Sequence, residues 1–290
     1  MTREELVKHA KLFQREEITG YQVYKNLAKS TNDKNNKTVL AKIAGEELKH
    51  YNIFKQISGV DVAPQKTVVW FFTICGKILG LTFALRLMER QEAKIQDVYE
   101  RVIPYMPEAE AVKKSEEEHE DQLIALIQEE RLDYAGSMVL GLNDALVELT
   151  GALAGFSLAM QNTRLIAVAG LITGIAASLS MAASQYLSVK TENDDRHAGK
   201  SAIYTGLAYI FTVAILISPF LLLTSYMLAL ATTLLLAIAI IFAFNFYIAV
   251  AKNLNFKHRF LEMVVISLGV SALTFGIGLL VRNYLGIPID

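Results

Sequence analysis

The C-terminal part of the chain is a series of long apolar runs separated by short polar segments. Five such runs lie at roughly residues 137–160, 165–189, 201–223, 226–250 and 260–283. Each is close to the ~20 residues that a helix needs to cross ~30 Å of hydrocarbon. Lipid offers no water to backbone groups, so runs of this length are expected to be helices. The pattern predicts five membrane spans, and the alternative is a soluble protein whose helices are all buried.

The N-terminal part shows apolar positions at intervals of three and four residues, which is typical of amphipathic helices. FQREEITGYQVYKNLAK and TVLAKIAGEELKHYNIFKQI form one predicted pair of helices, and RLMERQEAKIQDVYERV and EAEAVKKSEEEHEDQLIALIQEERL form a second pair. Two helical hairpins joined by a long crossover have the connectivity of a ferritin-like bundle. The predicted fold class is all-α, with a ferritin-like four-helix bundle in residues 1–134 and a five-helix transmembrane domain in residues 135–290.

Charge divides the chain at the same place. Residues 1–134 hold 22 of the 29 acidic and 20 of the 28 basic side chains, so the net charge of −1 averages two unlike parts. The loops after the second and fourth spans lie on the side of the N-terminal domain and are rich in basic residues, while the opposite side carries two. The loops on the side of the N-terminal domain carry six basic residues, Lys190, Arg196, Lys200, Lys252, Lys257 and Arg259. The opposite side carries Arg164 and Arg282. We expect an integral protein of the cell membrane with a cytoplasmic N-terminal domain and its C-terminus on the opposite side.

A glutamate three residues before a histidine occurs twice in the polar part. GEELKHYN contains Glu47 and His50, and KSEEEHED contains Glu116 and His119. Positions i and i+3 share one face of a helix, so each pair can be directed at one metal ion. A single pair of this kind is a weak signal, because glutamate-rich helices place a glutamate before a histidine by chance and the pair then faces water.

The helix before each pair carries a further repeated spacing. Glu17 stands seven residues before Tyr24, and Glu92 stands seven residues before Tyr99. Four carboxylates and two imidazoles directed into a bundle core are the ligand set of ferritin-like di-iron carboxylate proteins. The predicted metal ligands are therefore Glu17, Glu47, His50, Glu92, Glu116 and His119.

One more apolar run, VVWFFTICGKILGLTFALRLM at residues 68–88, needs an interpretation. Lys77 and Arg86 interrupt it. A span here would place the two glutamate-histidine pairs on opposite sides of the membrane, where they could not share a site. We expect a buried or membrane-surface segment that joins the two hairpins and continues without a break into the charged helix that follows.

The predicted spans contain polar residues that would suit a cation path. Asp144 and Glu148 lie one helical turn apart, and an acid at the membrane centre costs about 2.5–3.5 kcal/mol on insertion scales. Met181 and Gln185 in the second run are also one turn apart. A thioether together with carboxylates suits Fe(II) or another borderline divalent ion better than magnesium or calcium. The alternatives are two protonated acids bonded across helices and a methionine that only fills the core.

Two family resemblances cover nearly the whole chain. Residues 10–131 resemble the rubrerythrin and ferritin-like superfamily on the motifs above. Residues 135–290 resemble the vacuolar iron transporter family through VLGLNDALVELTGALAGF and SLSMAASQYLSVKTENDD, and the combination is similar to membrane-bound ferritins. Two features differ. Only TENDDRHAGK separates spans two and three, where eukaryotic relatives have a long metal-binding insertion, and Ser184, Gln185 and Tyr186 stand where relatives often carry Gly-Glu-Tyr.

The resemblance implies a transporter of divalent iron, with manganese as a second candidate ion, that moves the ion out of the cytoplasm with proton antiport. It also implies a homodimer with the ion path between subunits, and no nucleic-acid partner is expected. The di-iron domain is expected to capture, sense or oxidise iron, and oxidation of iron would be a ferroxidase activity. The alternative is a membrane-anchored di-iron oxidase or peroxidase of rubrerythrin type. Such an enzyme normally needs an electron donor, and with Cys75 as its one cysteine the chain has no rubredoxin-like cluster.

Overall fold

The computed structural model of the protein describes residues 1–92, 96–115, 127, 130–191 and 197–285, and none of these lies in a strand. The chain forms two compact units, Met1–Glu129 and Glu130–Asp290. Unit 1 is the charged part of the sequence and unit 2 is the apolar part. The all-α prediction is confirmed for the described residues.

Unit 1 begins with a helical hairpin made of α1 (Arg3–Ser30) and α2 (Lys34–Ser58). A capping box fixes the start of α1, because Thr2 Oγ1 accepts the Glu5 amide at 3.2 Å while Glu5 Oε2 accepts the Thr2 amide at 2.7 Å. Asp33 caps α2 by accepting the Asn36 amide at 2.7 Å. The two helices pack along each other, as the sequence periodicity predicts.

The chain then enters α3 (Lys66–Ile78), and α4 (Leu81–Glu92) follows after a sharp break. Gly80 has φ 109°, which side-chain-bearing residues rarely adopt, so the helix cannot continue through it. The apolar run 68–88 is therefore two helices, and the second of them, α4, passes without a break into the charged residues up to Glu92. At 13 residues, about 20 Å, α3 is too short to cross a membrane.

The rest of unit 1 is described in part. Helix α5 (Gln96–Val102) leads into a 3₁₀ turn, Ile103–Tyr105, and residues 108–115 are helical. Most of the remaining predicted fourth helix lies outside the described residues, so the four-helix bundle stays a prediction. Two apolar clusters form the described core, one around Tyr24, Leu27 and Phe72 and one around Phe13, Phe54 and Tyr99.

Among the described residues, unit 2 contains five helices that are long and apolar enough to cross a membrane, as the five apolar runs predict. They are span 1 (Ala135–Met160), span 2 (Thr163–Thr191), span 3 (Ala198–Leu222), span 4 (Tyr226–Ala251) and span 5 (Phe256–Leu285). Span 2 is two residues longer at each end than the apolar run at 165–189. Polar terminal residues extend the helix beyond the run that the hydropathy pattern detects.

Close helix packing in unit 2 depends on small residues in span 1. Thr274 Oγ1 of span 5 donates to the Gly151 carbonyl oxygen at 2.6 Å. A Cβ at Gly155 would lie 3.1 Å from the Thr274 carbonyl oxygen, and the backbone at Gly278 also approaches Gly155 closely. Span 1 is thereby held against span 5 along its second half.

Candidate metal sites

Three predicted ligands lie on the buried sides of α1 and α2. Glu17, Glu47 and His50 are buried, with relative exposures of 3 %, 8 % and 8 %. His50 Nδ1 lies 3.4 Å from Glu17 Oε2 across the hairpin. A Cβ at Gly20 would lie 2.6 Å from Glu47 Oε2, so the carboxylate occupies space that only a glycine at position 20 leaves free. The hairpin thus brings two carboxylates and an imidazole into the interior of unit 1.

Tyr99 joins this group from the second part of unit 1. Its hydroxyl donates to Glu17 Oε1 at 3.2 Å. The Tyr99 ring stacks on Phe13 with centroids 4.1 Å apart and meets the Phe54 ring edge-on at 6.2 Å. Phe13 is one turn before Glu17, and Phe54 is one turn after His50, so an aromatic layer adjoins the polar group. The spacing in the sequence relates Tyr99 to Glu92, whereas the structure pairs it with the glutamate of the other repeat.

The second half of the predicted ligand set cannot be placed. Glu92 is the last residue of α4, but its side chain lies outside the described part of the structure, as do Glu116 and His119 altogether. Among the described side chains there is no group of three or more His, Cys, Asp or Glu residues arranged to hold a metal ion. The donors that are described, buried carboxylates and an imidazole, have the chemistry that iron accepts. The di-iron assignment stays a prediction.

Asp144 and Glu148 form a second polar group near the middle of span 1. The helix changes there from α to π geometry over Ala145–Leu149, immediately after Asp144. The two acids lie four residues apart, which is one turn of the helix. Tyr209 of span 3 is fully buried and its hydroxyl donates to Glu148 Oε2 at 3.0 Å. Such π turns are rare in proteins, and those that occur are often found at functional sites.

Hydroxyl groups hold the π turn from the side of span 5. A π turn disturbs the regular backbone bonding of the helix, and a carbonyl left without a partner in lipid would be costly. The Leu146 carbonyl oxygen accepts Ser267 Oγ at 2.8 Å and also accepts Thr150 Oγ1, and these two hydroxyls are 3.2 Å apart. Ser267 therefore connects span 5 to the turn on which Glu148 lies.

The two predicted residues of span 2 lie one helical turn apart. Gln185 is buried and its Nε2 donates to Ser137 Oγ at 3.1 Å, which ties span 2 to the start of span 1. Met181 is half-buried and packs against the apolar core of unit 2. Ser137 precedes Asp144 by seven residues, or about 10 Å along the helix, so Gln185 bonds to span 1 at a different level from the acid pair.

Sequence reasoning missed three polar partners of the predicted path, Ser137, Tyr209 and Ser267. Tyr209 had a signal, because it interrupts the apolar run GLAYIFTV of span 3 with a hydroxyl that needs a partner when buried. Ser137 and Ser267 had none. Serines are common in spans, and most bond only to their own helix.

Comparison with known proteins bears on unit 2. The sequence profile of the VIT family matches residues 135–200, which is less than a quarter of the chain. The matched segment contains spans 1 and 2 and therefore Asp144, Glu148, Met181 and Gln185. No curated protein and no solved structure gives a significant match. The VIT match, with five membrane-capable helices, indicates an integral membrane protein and suggests a membrane transporter of metal ions.

The contact of Tyr99 with Glu17 can be tested by removing the Tyr99 hydroxyl group. Tyr99→Phe keeps the ring between Phe13 and Phe54 but removes the hydrogen bond that orients the carboxylate. Partners of metal ligands typically contribute 10- to 100-fold in affinity, so we expect iron binding by the full chain to weaken by about that factor. Tyr51→Phe is the matched control, because its hydroxyl bonds to Asp61 at 2.9 Å. Equal affinities for the two variants in a titration would contradict the assignment.

The role of Ser267 can be tested against a serine one turn away. Ser267→Ala removes the bond to the Leu146 carbonyl, whereas Ser271→Ala removes only a bond to its own helix, Ser271 Oγ to the Ser267 carbonyl at 2.8 Å. Hydrogen bonds between membrane helices contribute about 0.6 kcal/mol and at most about 1.7 kcal/mol. We expect metal flux in proteoliposomes to fall about threefold, and at most about twentyfold, only in the Ser267 variant. A similar loss in both would show that the π turn does not depend on this bond.

Proposed function

We propose that the protein transports divalent iron out of the cytoplasm, with Mn(II) as a second accepted ion and protons moving in the opposite direction. The observation that carries the proposal is that two acids, Asp144 and Glu148, lie one turn apart near the middle of a membrane-capable helix. The same helix lies in the segment that matches the VIT family. Carboxylates are kept in such positions at a considerable energetic cost, and they typically mark ion pathways.

The acid pair has the chemistry that exchange of a metal for protons requires. Two carboxylates bind a divalent cation only when both are deprotonated, so binding releases protons and protonation releases the ion. Tyr209 supports this cycle because its hydroxyl donates to Glu148 and leaves the other oxygen lone pairs available. The Met181 thioether, on the adjacent span 2, favours a borderline ion such as Fe(II) over calcium or magnesium.

Exposure of Glu148 on the single chain supports a homodimer. The side chain lies on the outer surface of span 1, near the middle of the helix, where lipid would otherwise contact it. A second copy placed against this surface would enclose the acid and form one wall of the path. The proposed assembly is therefore a dimer with the ion path between subunits.

Unit 1 is proposed to be a cytoplasmic di-iron domain of ferritin-like, rubrerythrin type that captures, senses or oxidises iron. Glu17, Glu47 and His50 would supply one half of its ligands and Glu92, Glu116 and His119 the other half. Bound iron would supply redox chemistry and a high local positive charge. The chain itself supplies a buried position in which Tyr99, stacked on the aromatic layer, orients Glu17.

A second candidate function is a membrane-anchored di-iron oxidase or peroxidase. The buried Glu17, His50 and Tyr99 group favours it, because a buried, hydrogen-bonded carboxylate suits catalysis as well as the capture of iron. In this case the spans would be an anchor. Transport is preferred because an anchor has no need of a carboxylate pair and a π turn within span 1.

The two candidates differ in their response to a change at Asp144. Asp144→Asn keeps the size of the side chain but removes a charge and an exchangeable proton. We expect Fe(II) flux in proteoliposomes, and the coupled change in internal pH, to be almost abolished, while iron bound by unit 1 is unchanged. Met181→Ala should lower flux and weaken the preference for Fe(II) over Mg(II). Unchanged flux in the Asp144 variant would leave the oxidase as the better proposal.

The ligand assignment in unit 1 predicts a change in metal content. Replacing His50 and Glu116 with Ala should remove one ligand from each of the two metal ions. The full chain should then hold two fewer iron ions than the unsubstituted protein, measured by elemental analysis per chain. A matched variant with His9 and Glu46 replaced by Ala should hold as much iron as the unsubstituted protein. Two ions retained in the His50 and Glu116 variant would refute the assignment.

A further inference from the structure

The outer face of α3 exposes large apolar side chains to solvent. Trp70 is 67 % exposed, Ile78 65 % and Phe71 45 %, and Leu79, just after the helix, is 38 % exposed. These four residues are called the α3 face below. Several large apolar side chains exposed on one side of a polar domain typically mark an interaction surface.

The opposite side of α3 is already buried in unit 1. Val69 and Phe72 belong to the apolar cluster that contains Leu27 of α1. A Cβ at Gly76 would collide with the Leu27 side chain, so α3 packs here at the closest possible distance. Rolling the helix to bury Trp70 would expose Phe72 and separate the helix from α1. The α3 face therefore needs a partner outside the described core of unit 1.

The charges on α3 indicate what kind of partner fits. Lys66 and Lys77 are exposed at the two ends of the helix, and α3 contains no acidic residue. Successive residues of an α-helix are about 100° apart around the helix axis. Around that axis, the two lysines and Trp70 lie within about 40° of each other, and Phe71 and Ile78 lie about 100° away from them. Basic residues beside tryptophan and aliphatic residues are typical of helices that lie in the interface of a bilayer. Anionic lipid headgroups attract such lysines.

The chain tethers unit 1 to the bilayer that its spans are able to cross. Unit 1 ends at Glu129 and span 1 begins at Ala135, so five residues connect them. Five residues extend over at most about 18 Å. We propose that α3 lies parallel to the membrane with the α3 face in the headgroup and upper acyl region and its two lysines at anionic lipid phosphates. This proposal depends only on the membrane helices and not on the transported ion.

Trp70 provides a direct test, because it is the only tryptophan in the chain. The full protein in nanodiscs that contain phosphatidylcholine and phosphatidylglycerol is prepared with and without lipids spin-labelled at acyl carbon 5 or 12. We expect blue-shifted Trp70 emission, stronger quenching by the shallow label than by the deep one, and poor quenching by acrylamide. A Tyr105→Trp reporter in a Trp70→Phe background is the control. Tyr105 is 53 % exposed and lines a cavity with Leu12 and Arg15. Leu12 and Arg15 lie in the first half of α1, whereas α3 contacts Leu27 near its end, so the reporter is well separated from the α3 face.

Charge-reversing variants test the same contact from the side of the protein. With Trp70 retained, exchanging Lys66 and Lys77 for Glu should reduce lipid quenching by more than half and increase acrylamide quenching. The far-ultraviolet circular dichroism spectrum should stay the same, which shows that the helical fold is retained. Acrylamide quenching of Trp70 equal to that of the Tyr105→Trp reporter would overturn the proposal. Protection from acrylamide without quenching by labelled lipid would also overturn it, because a second protein surface would then cover the face.

Discussion

An acidic side chain within a membrane-spanning helix must find its polar partners in the protein, since hydrocarbon provides none. The arrangement around Asp144 and Glu148 follows from this requirement. Tyr209 is buried in span 3 with its hydroxyl on Glu148, and Ser267 in span 5 bonds to the turn that carries Glu148. Three helices of unit 2 thus meet at one polar level inside an otherwise apolar core. Close packing at Gly151 and Gly155 brings span 5 near enough for this contact.

Unit 1 must also provide partners within the protein for polar side chains that are buried away from water. Glu17, Glu47 and His50 are buried in a helical hairpin whose other interior residues are mainly apolar and aromatic. Tyr99 provides the hydroxyl, as Tyr209 does in unit 2, and the stacked Phe13 ring restricts its direction. A glycine again makes the space, because Gly20 lies against the Glu47 carboxylate. In both units a tyrosine from a different helix donates a hydrogen bond to one carboxylate of the polar group.

The sequence predicts those features that depend on one helix at a time. The five spans follow from hydropathy over about 20 residues, and the α1–α2 hairpin follows from helical periodicity and a polar linker. The π turn was not predictable, because its hydroxyl partners include Ser267, more than a hundred residues away. The pairing of Tyr99 with Glu17 was also hidden, since the spacing connects each tyrosine with its own helix. The break at Gly80 depends on one backbone angle that an apolar run does not reveal.

The energetic terms around Glu148 support the proposed dimer from another direction. An acid near the membrane centre costs about 2.5–3.5 kcal/mol. One hydrogen bond between membrane helices, such as that from Tyr209, contributes about 0.6 kcal/mol and at most about 1.7 kcal/mol. The bond therefore leaves part of the cost without compensation when Glu148 is on the surface of a single chain. Enclosure by a second copy would remove the lipid contact, and a bound divalent cation would offset the remaining charge.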